Sequence, residues 1–232
     1  MSLPITRRTW NALVKANKEA VAAGWAQPGV FATGIGRRYR PGAPESVLYV
    51  GMSAGPKAES VGLGLTQLDS SKASRDWMIR RENRRSPFWQ FIERISPDRM
   101  DIAWTNVSKM DRLEVSSGDA GPPSPKQWPM IAGPCLKALS EEIHCLAPAL
   151  ILFATSRFRA EIKNLLAEHG FLKSRTLGDG HTTIFRSANG TSAITTRHPG
   201  YWKRMPLARH EEIVATAVLN LLKRQTNNHG AP

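Results

Sequence analysis

Residues 47–50 (VLYV) and 149–154 (ALILFA) are apolar without interruption, and 101–106 (DIAWTN) come close to it. Apolar runs of this length suit strands covered on both faces, as in a parallel sheet, better than half-exposed strands, which alternate. Two shorter segments, 182–187 (TTIFRS) and 192–197 (SAITTR), flank Asn189-Gly190, a dipeptide that favours a tight turn. Between these segments the apolar spacing becomes helical. Residues 6–24 place Trp10, Leu13 and Val14 on one stripe, with Thr6 as a cap and Gly24 as a stop. Residues 74–95 read as helix, broken or restarted at Pro87. Residues 126–144 read as a helix in which Pro129 and Pro134 demand an interrupted or late start. After the run at 149–154, a helix with Ser156 near its cap carries Phe158, Ile162, Leu165 and Leu166 on one face and ends at Gly170. A last helix, about 208–224, aligns Ile213, Val214, Ala217, Val218, Leu221 and Leu222, and 225–232 reads as a frayed tail. The stretch 115–125 reads as a loop.

Strands alternating with helices define an α/β protein. The expected architecture is a three-layer α/β/α domain with a central, mostly parallel sheet of four to five strands. It spans residues 1–232 as one domain, with 1–45 as an N-terminal helix and basic loop. In such sheets ligands bind beyond the carboxyl ends of the strands. Four segments are therefore expected to meet: 51–55 (GMSAG), 106–109 (NVSK), 154–156 (ATS) and 197–200 (RHPG).

Charge narrows the partner. The chain has 32 Lys and Arg against 19 Asp and Glu, a formal net charge of +13. Counted to Met110 the balance is 17 to 9, and beyond it 15 to 10, so the excess belongs to the whole body. Such a field attracts polyanions, and nucleic acid is the expected partner. Arg75, Arg80, Arg81, Arg84 and Arg85 crowd one predicted helix as like-charge neighbours, which an anionic partner or a nearby acid such as Glu82 would relieve. Two cysteines, Cys135 and Cys145, are too few for a disulfide framework and lack metal-ligand spacing, so neither metal nor cofactor is expected. No stretch approaches a membrane span, and the start lacks a signal-type apolar run, so a cytoplasmic protein at the DNA is expected, with a monomer as the default for a protein that scans DNA.

The post-strand segments hold the candidate chemistry. Gly51 lets a backbone approach a ligand. Asn106 offers an acceptor and two donors to the edge of a pyrimidine, or else caps a turn. Phe88 or Trp89 in SPFWQF can stack on a base, while Phe91 and Ile92 read as core. In RHPGYWKR, His198 can donate to a developing negative charge. Arg197, Lys203 and Arg204 can hold phosphates, and Tyr201 or Trp202 can wedge into the gap left by a flipped base; the plainer alternative is a solvated basic loop.

Taken in order, Gly51 to Pro56, Phe88, Asn106 and His198-Pro199 resemble the uracil-DNA glycosylase superfamily. That family carries a first motif of the GMNPG, GQDPY or GEAPG kind, a stacking phenylalanine, a strand-end asparagine and an HPS-type loop. The resemblance runs from about Val47 to Leu222. It implies a monofunctional DNA repair glycosylase that flips a deaminated base, uracil foremost, and hydrolyses its N-glycosidic bond. Phe88 would stack on the base, Asn106 would read its pairing edge, and N–H groups near Met52 and Ser53 would bind a base carbonyl. His198 would stabilise the leaving base, and Arg80, Arg84, Arg197, Tyr201, Trp202, Lys203 and Arg204 would contact DNA. The chain departs from the pattern in three places, the first being that the four-cysteine iron–sulfur signature of some branches is absent, since only Cys135 and Cys145 exist. Met52-Ser53-Ala54 stands where relatives carry an acid or amide that positions water, which leaves Ser53 and the nearby Glu59 as candidates. Gly200 stands where the loop's serine would be. A nucleic-acid-binding protein on the same fold that cleaves nothing is the alternative.

Overall fold

The continuous apolar runs become strands with no exposed residue. In a computed structural model that describes residues 3–53, 66–80, 86–114, 119–200 and 208–229, β1 (Gly34–Ile35), β2 (Val47–Gly51), β3 (Ile102–Asn106), β6 (Leu150–Ala154), β7 (Phe171–Thr176), β8 (Thr183–Ser187) and β9 (Ser192–Thr196) form one sheet in the order β1-β3-β2-β6-β9-β8-β7. All of β2, β3 and β6 is buried. β3, β2, β6 and β9 run parallel, while β1 and the β7–β8 pair join antiparallel. β4 (Arg112–Glu114) and β5 (Asp119–Gly121) form a separate two-stranded antiparallel sheet, so 119–121 are strand rather than loop.

The sheet is therefore mixed and seven-stranded, larger than the four to five strands expected. Four of its strands run parallel. The extra strands were illegible for local reasons. β1 is only two residues long. β7 has five exposed residues out of six and so carries no apolar signature.

Each face of the sheet buries its own core. Leu48, Val50, Ile151 and Phe153 pack with α1 (Arg7–Ala22), α4 (Trp128–Leu146) and α5 (Arg159–Glu168) through Leu13, Leu139 and Leu165. The alternate residues Val47, Tyr49, Leu150 and Leu152 pack with α2 (Gln67–Arg80), α3 (Pro87–Glu93) and α6 (Ala208–His229) through Met78, Ile92 and Val218. Among the described residues no helix is long and apolar enough to cross a membrane.

Local chemistry explains the boundaries. Thr6 caps α1, its Oγ1 accepting the Thr9 N–H at 3.3 Å. Pro87 opens α3 rather than breaking a longer helix, as its fixed φ and missing donor allow. The cap of α5 is Phe158 in a left-handed conformation (φ 62°), not Ser156. α6 continues to His229, so 225–229 are helical rather than frayed. Gln225 Nε2 donates to Gly190 O at 2.5 Å and Thr226 Oγ1 to Leu222 O at 3.1 Å, which tie that turn down.

Lys109, placed by its sequence position at the rim, instead turns inward. Its ammonium is fully buried and lies 2.6 and 2.8 Å from the Glu142 carboxylate, with Thr105 Oγ1 in contact as well. Thr33 and Thr105 donate to the two Glu142 oxygens at 2.6 and 2.9 Å. Removing one member of a buried pair leaves an unpaired interior charge, whereas apolar replacement of both is often neutral. Lys109→Met is expected to cost about 3–5 kcal/mol by urea denaturation, and Lys109→Met/Glu142→Leu is expected to recover most of that loss.

Candidate active site

Parallel neighbours in register end together. Gly51, at the close of β2, stands opposite Asn106, at the close of β3. The pairing continues past both strands: Val107 N–H donates to Gly51 O and Ser108 N–H to Met52 O, each at 3.0 Å. A Cβ at Gly51 would collide with the Asn106 carboxamide and come within 3.2 Å of Phe88 Cζ. Glycine here is a demand of close approach, and it shows that Gly51, Phe88 and Asn106 converge on one spot.

Asn106 is 1% exposed. One end of its carboxamide faces two backbone carbonyls, Thr105 O at 3.2 Å and Ser53 O at 3.3 Å. Oxygen there would meet only oxygens, so Nδ2 occupies that end and donates to both. Both amide hydrogens are then engaged by backbone. The side chain offers Oδ1 alone, in place of the acceptor and two donors expected.

Phe88 is fixed from several sides. Tyr49 stacks beneath it at 4.1 Å between ring centroids and 21° between planes, and Tyr49 Oη donates to Phe88 O at 2.9 Å. Burial pushes the Tyr49 hydroxyl well above its usual pKa, so it stays a donor. Arg99, wholly buried, lies 4.5 Å above the Trp89 ring, donates to Met78 O at 2.8 Å and pairs with Glu93 at 2.9 Å. α3 is thereby locked to α2. Trp89, the other stacking candidate, is 2% exposed and packs within this aromatic core, as do Phe91 and Ile92.

His198 follows β9, two strands away from β2. Its ring lies nearly parallel to Phe88, 5.7 Å between centroids and 15° between planes. The Gly200 N–H donates to His198 Nδ1 at 3.1 Å, so a neutral ring carries its proton on Nε2. Burial holds the His198 pKa below the ordinary histidine value, which favours that neutral ring. A Cβ at Gly200 would stand 3.1 Å from Nδ1, a tight approach that the missing side chain avoids. Ser53 is half-buried; its carbonyl serves Asn106.

Thus Gly51, Met52, Ser53, Phe88, Asn106 and His198 come together at the carboxyl edge of the parallel strands. Arg197 sits half-buried beside His198. Glu59, Arg84, Tyr201, Trp202, Lys203 and Arg204 lie outside the described residues, as does the side chain of Arg80. Arg75 pairs with Asp76 at 3.2 Å. No group of three or more His, Cys, Asp or Glu that could hold a metal occurs among the described residues. Tyr49, Arg99 and the Thr33–Thr105–Lys109–Glu142 group escaped sequence reasoning. A tyrosine inside a continuous apolar run, whose hydroxyl must find a partner, was the one signal available.

No protein-family model matches the chain, and no curated protein matches it.

The carboxamide assignment has a direct consequence. Asn106→Asp would set a carboxylate against Ser53 O and Thr105 O in a buried site, raising the introduced group's pKa. Its protonated form can still donate to one carbonyl. The variant is therefore expected to lose stability relative to the parent as pH rises from 4 to 8, read as a widening gap in melting temperature.

Proposed function

We propose that the protein is a DNA glycosylase of the uracil-DNA glycosylase kind, a three-layer α/β/α domain that removes a deaminated base. One observation carries the reading: Gly51, Phe88, Asn106 and His198, distant in sequence, meet at one edge of the sheet.

The chemistry follows from what each group presents. A flipped base stacks on Phe88, whose lower face Tyr49 already covers. The His198 ring lies nearly parallel to Phe88, 5.7 Å between centroids, where it can reach such a base. Asn106 Oδ1 accepts the lactam N–H that uracil, hypoxanthine and xanthine share. Cytosine and adenine present a lone pair there and are repelled. As the glycosidic C–N bond breaks, its electron pair moves onto the base. The neutral His198 donates from Nε2 to the base oxygen that gathers this charge. Water adds to the sugar carbon of an oxocarbenium-like species, and the proton it loses ends on the departing base. The +13 charge draws the DNA in.

Oligonucleotides carrying uracil, hypoxanthine or xanthine, single- and double-stranded, are expected to break at the lesion after incubation and alkali. His198→Ala is expected to lower the single-turnover rate by about 10²–10³-fold, the usual effect of losing one such donor, with binding changed less than threefold. Intact strands at stoichiometric enzyme for all three bases would reject the reading. Because His198 works neutral and its pKa is depressed, the rate is expected to hold as pH falls to about 6.5 and to decline only below it.

The second reading, a binder that cleaves nothing, is favoured by Ser53, a neutral hydroxyl where relatives carry an acid or amide. It predicts binding with a steep salt slope and no abasic product.

A further inference from the structure

A second polar cluster lies at the end of β9, two residues before His198, and takes no part in the proposed chemistry. Asp179, between β7 and β8, accepts the backbone N–H groups of His181 and Thr182 at 2.9 and 2.8 Å and the Thr182 hydroxyl at 2.5 Å. Its Oδ2 lies 2.9 Å from His210 Nδ1. His210 Nε2 is 3.2 Å from Thr196 Oγ1, which is 3.0 Å from Thr182 Oγ1. The side chains of Asp179 and His210 have no exposed surface, and Thr196 and Thr182 are 1% exposed or less.

An Asp–His–hydroxyl series is also the order of a nucleophile and its base. Here no substrate can reach Thr196 Oγ1, so that role is closed. What the cluster joins is more informative. Thr196 is the last residue of β9 and His210 lies in the first turn of α6. His198 lies two residues beyond Thr196, so this contact fixes the strand end from which it departs. Asp179 is itself held by three hydrogen bonds, which makes it a fixed post on the β7–β8 connection.

We infer that Asp179 and His210 are positioning residues for His198, tying the end of β9, two residues before it, to the β7–β8 turn and α6 so that the imidazole keeps its place beside Phe88. The groups facing His210 are Asp179 on the β7–β8 turn, His181 with its ring 6.5 Å away, and Arg197 beyond β9. Burial lowers the His210 pKa, and the charges of His181 and Arg197 act in the same direction against the pull of Asp179. Burial of Asp179 acts to raise its pKa, but the Thr182 and His181 hydrogen bonds outweigh it and hold the carboxyl ionised.

The clamp itself does not depend on base excision; only its value to catalysis rests on the proposed function. The test reads the His198 ring by 15N-imidazole NMR in the full chain, with circular dichroism to establish folding. In His210→Ala the His198 Nδ1 resonance is expected to lose the shift of a hydrogen-bonded acceptor. Its titration midpoint is expected to rise toward about 6.5 as the ring gains water. Asp179→Asn keeps the shape and removes the charge, so it carries the test where His210→Ala does not fold; the same changes, smaller, are expected. His210→Gln, which retains a polar atom toward Thr196, is expected to restore most of the signal. Unmoved His198 resonances and midpoint in folded variants would overturn the clamp. Displaced resonances in a protein that cleaves no lesion would leave the clamp standing and sink the glycosylase reading instead.

Discussion

Val107 gives its backbone N–H to Gly51 O, and Ser108 gives its own to Met52 O, both at 3.0 Å. These two bonds carry parallel pairing beyond the strands and into the loops. A parallel strand needs a crossover to return, so every strand of the set ends at the same edge. β3, β2, β6 and β9 obey this, and four chain-distant segments emerge side by side. Backbone pairing, not side-chain preference, therefore fixes the distance between Gly51 and Asn106. The absent Cβ at Gly51 leaves the space that the carboxamide and the Phe88 ring occupy.

The parts of this arrangement legible in the sequence were those governed by local rules. VLYV, DIAWTN and ALILFA are apolar because both faces of each strand are covered, and burial on both faces leaves no other choice. The Asn189-Gly190 turn and the Thr6 cap follow from short-range hydrogen bonding and from the positive φ of Gly190. Tertiary context hid the rest. β7 is almost wholly exposed and β1 is two residues long, so neither left a pattern. Lys109 looked like a rim cation because a charged residue after a strand usually faces solvent. Only the distant Glu142, 33 residues along and on α4, makes its burial tolerable. The position of Asn106 was legible but the direction of its amide was not. Ser53 O and Thr105 O decide that, and Ser53 comes from another strand's loop.

Two buried polar groups bracket the candidate site, and they differ in what they hold. Lys109 and Glu142 join the segment after β3 to α4, beneath the residue that precedes Asn106. Asp179 and His210 join the β7–β8 turn to α6, against the end of β9. Apolar packing of the same volume would hold these elements at similar or greater stability. Hydrogen bonds add direction, since each permits only a narrow range of donor and acceptor geometry. Buried polar networks of this kind fit a site whose parts must be held to fractions of an ångström more than they fit a need for stability.

On the proposed reading, a dissociating glycosidic bond develops charge at two ends, negative on the base and positive on the sugar. On that reading the first end would be served by a neutral imidazole oriented by Gly200 and by Asn106 Oδ1, an acceptor that would select a lactam. At the second end the first motif offers Ser53, a hydroxyl without charge, within a protein whose overall field is positive. A positive field disfavours a nearby sugar cation. The balance then falls on the leaving group, so bases that bear negative charge well are favoured over those that bear it poorly. Selection by Asn106 and selection by leaving-group ability act on different atoms of the same base, and their agreement on deaminated bases makes the site coherent without an acid at residue 53.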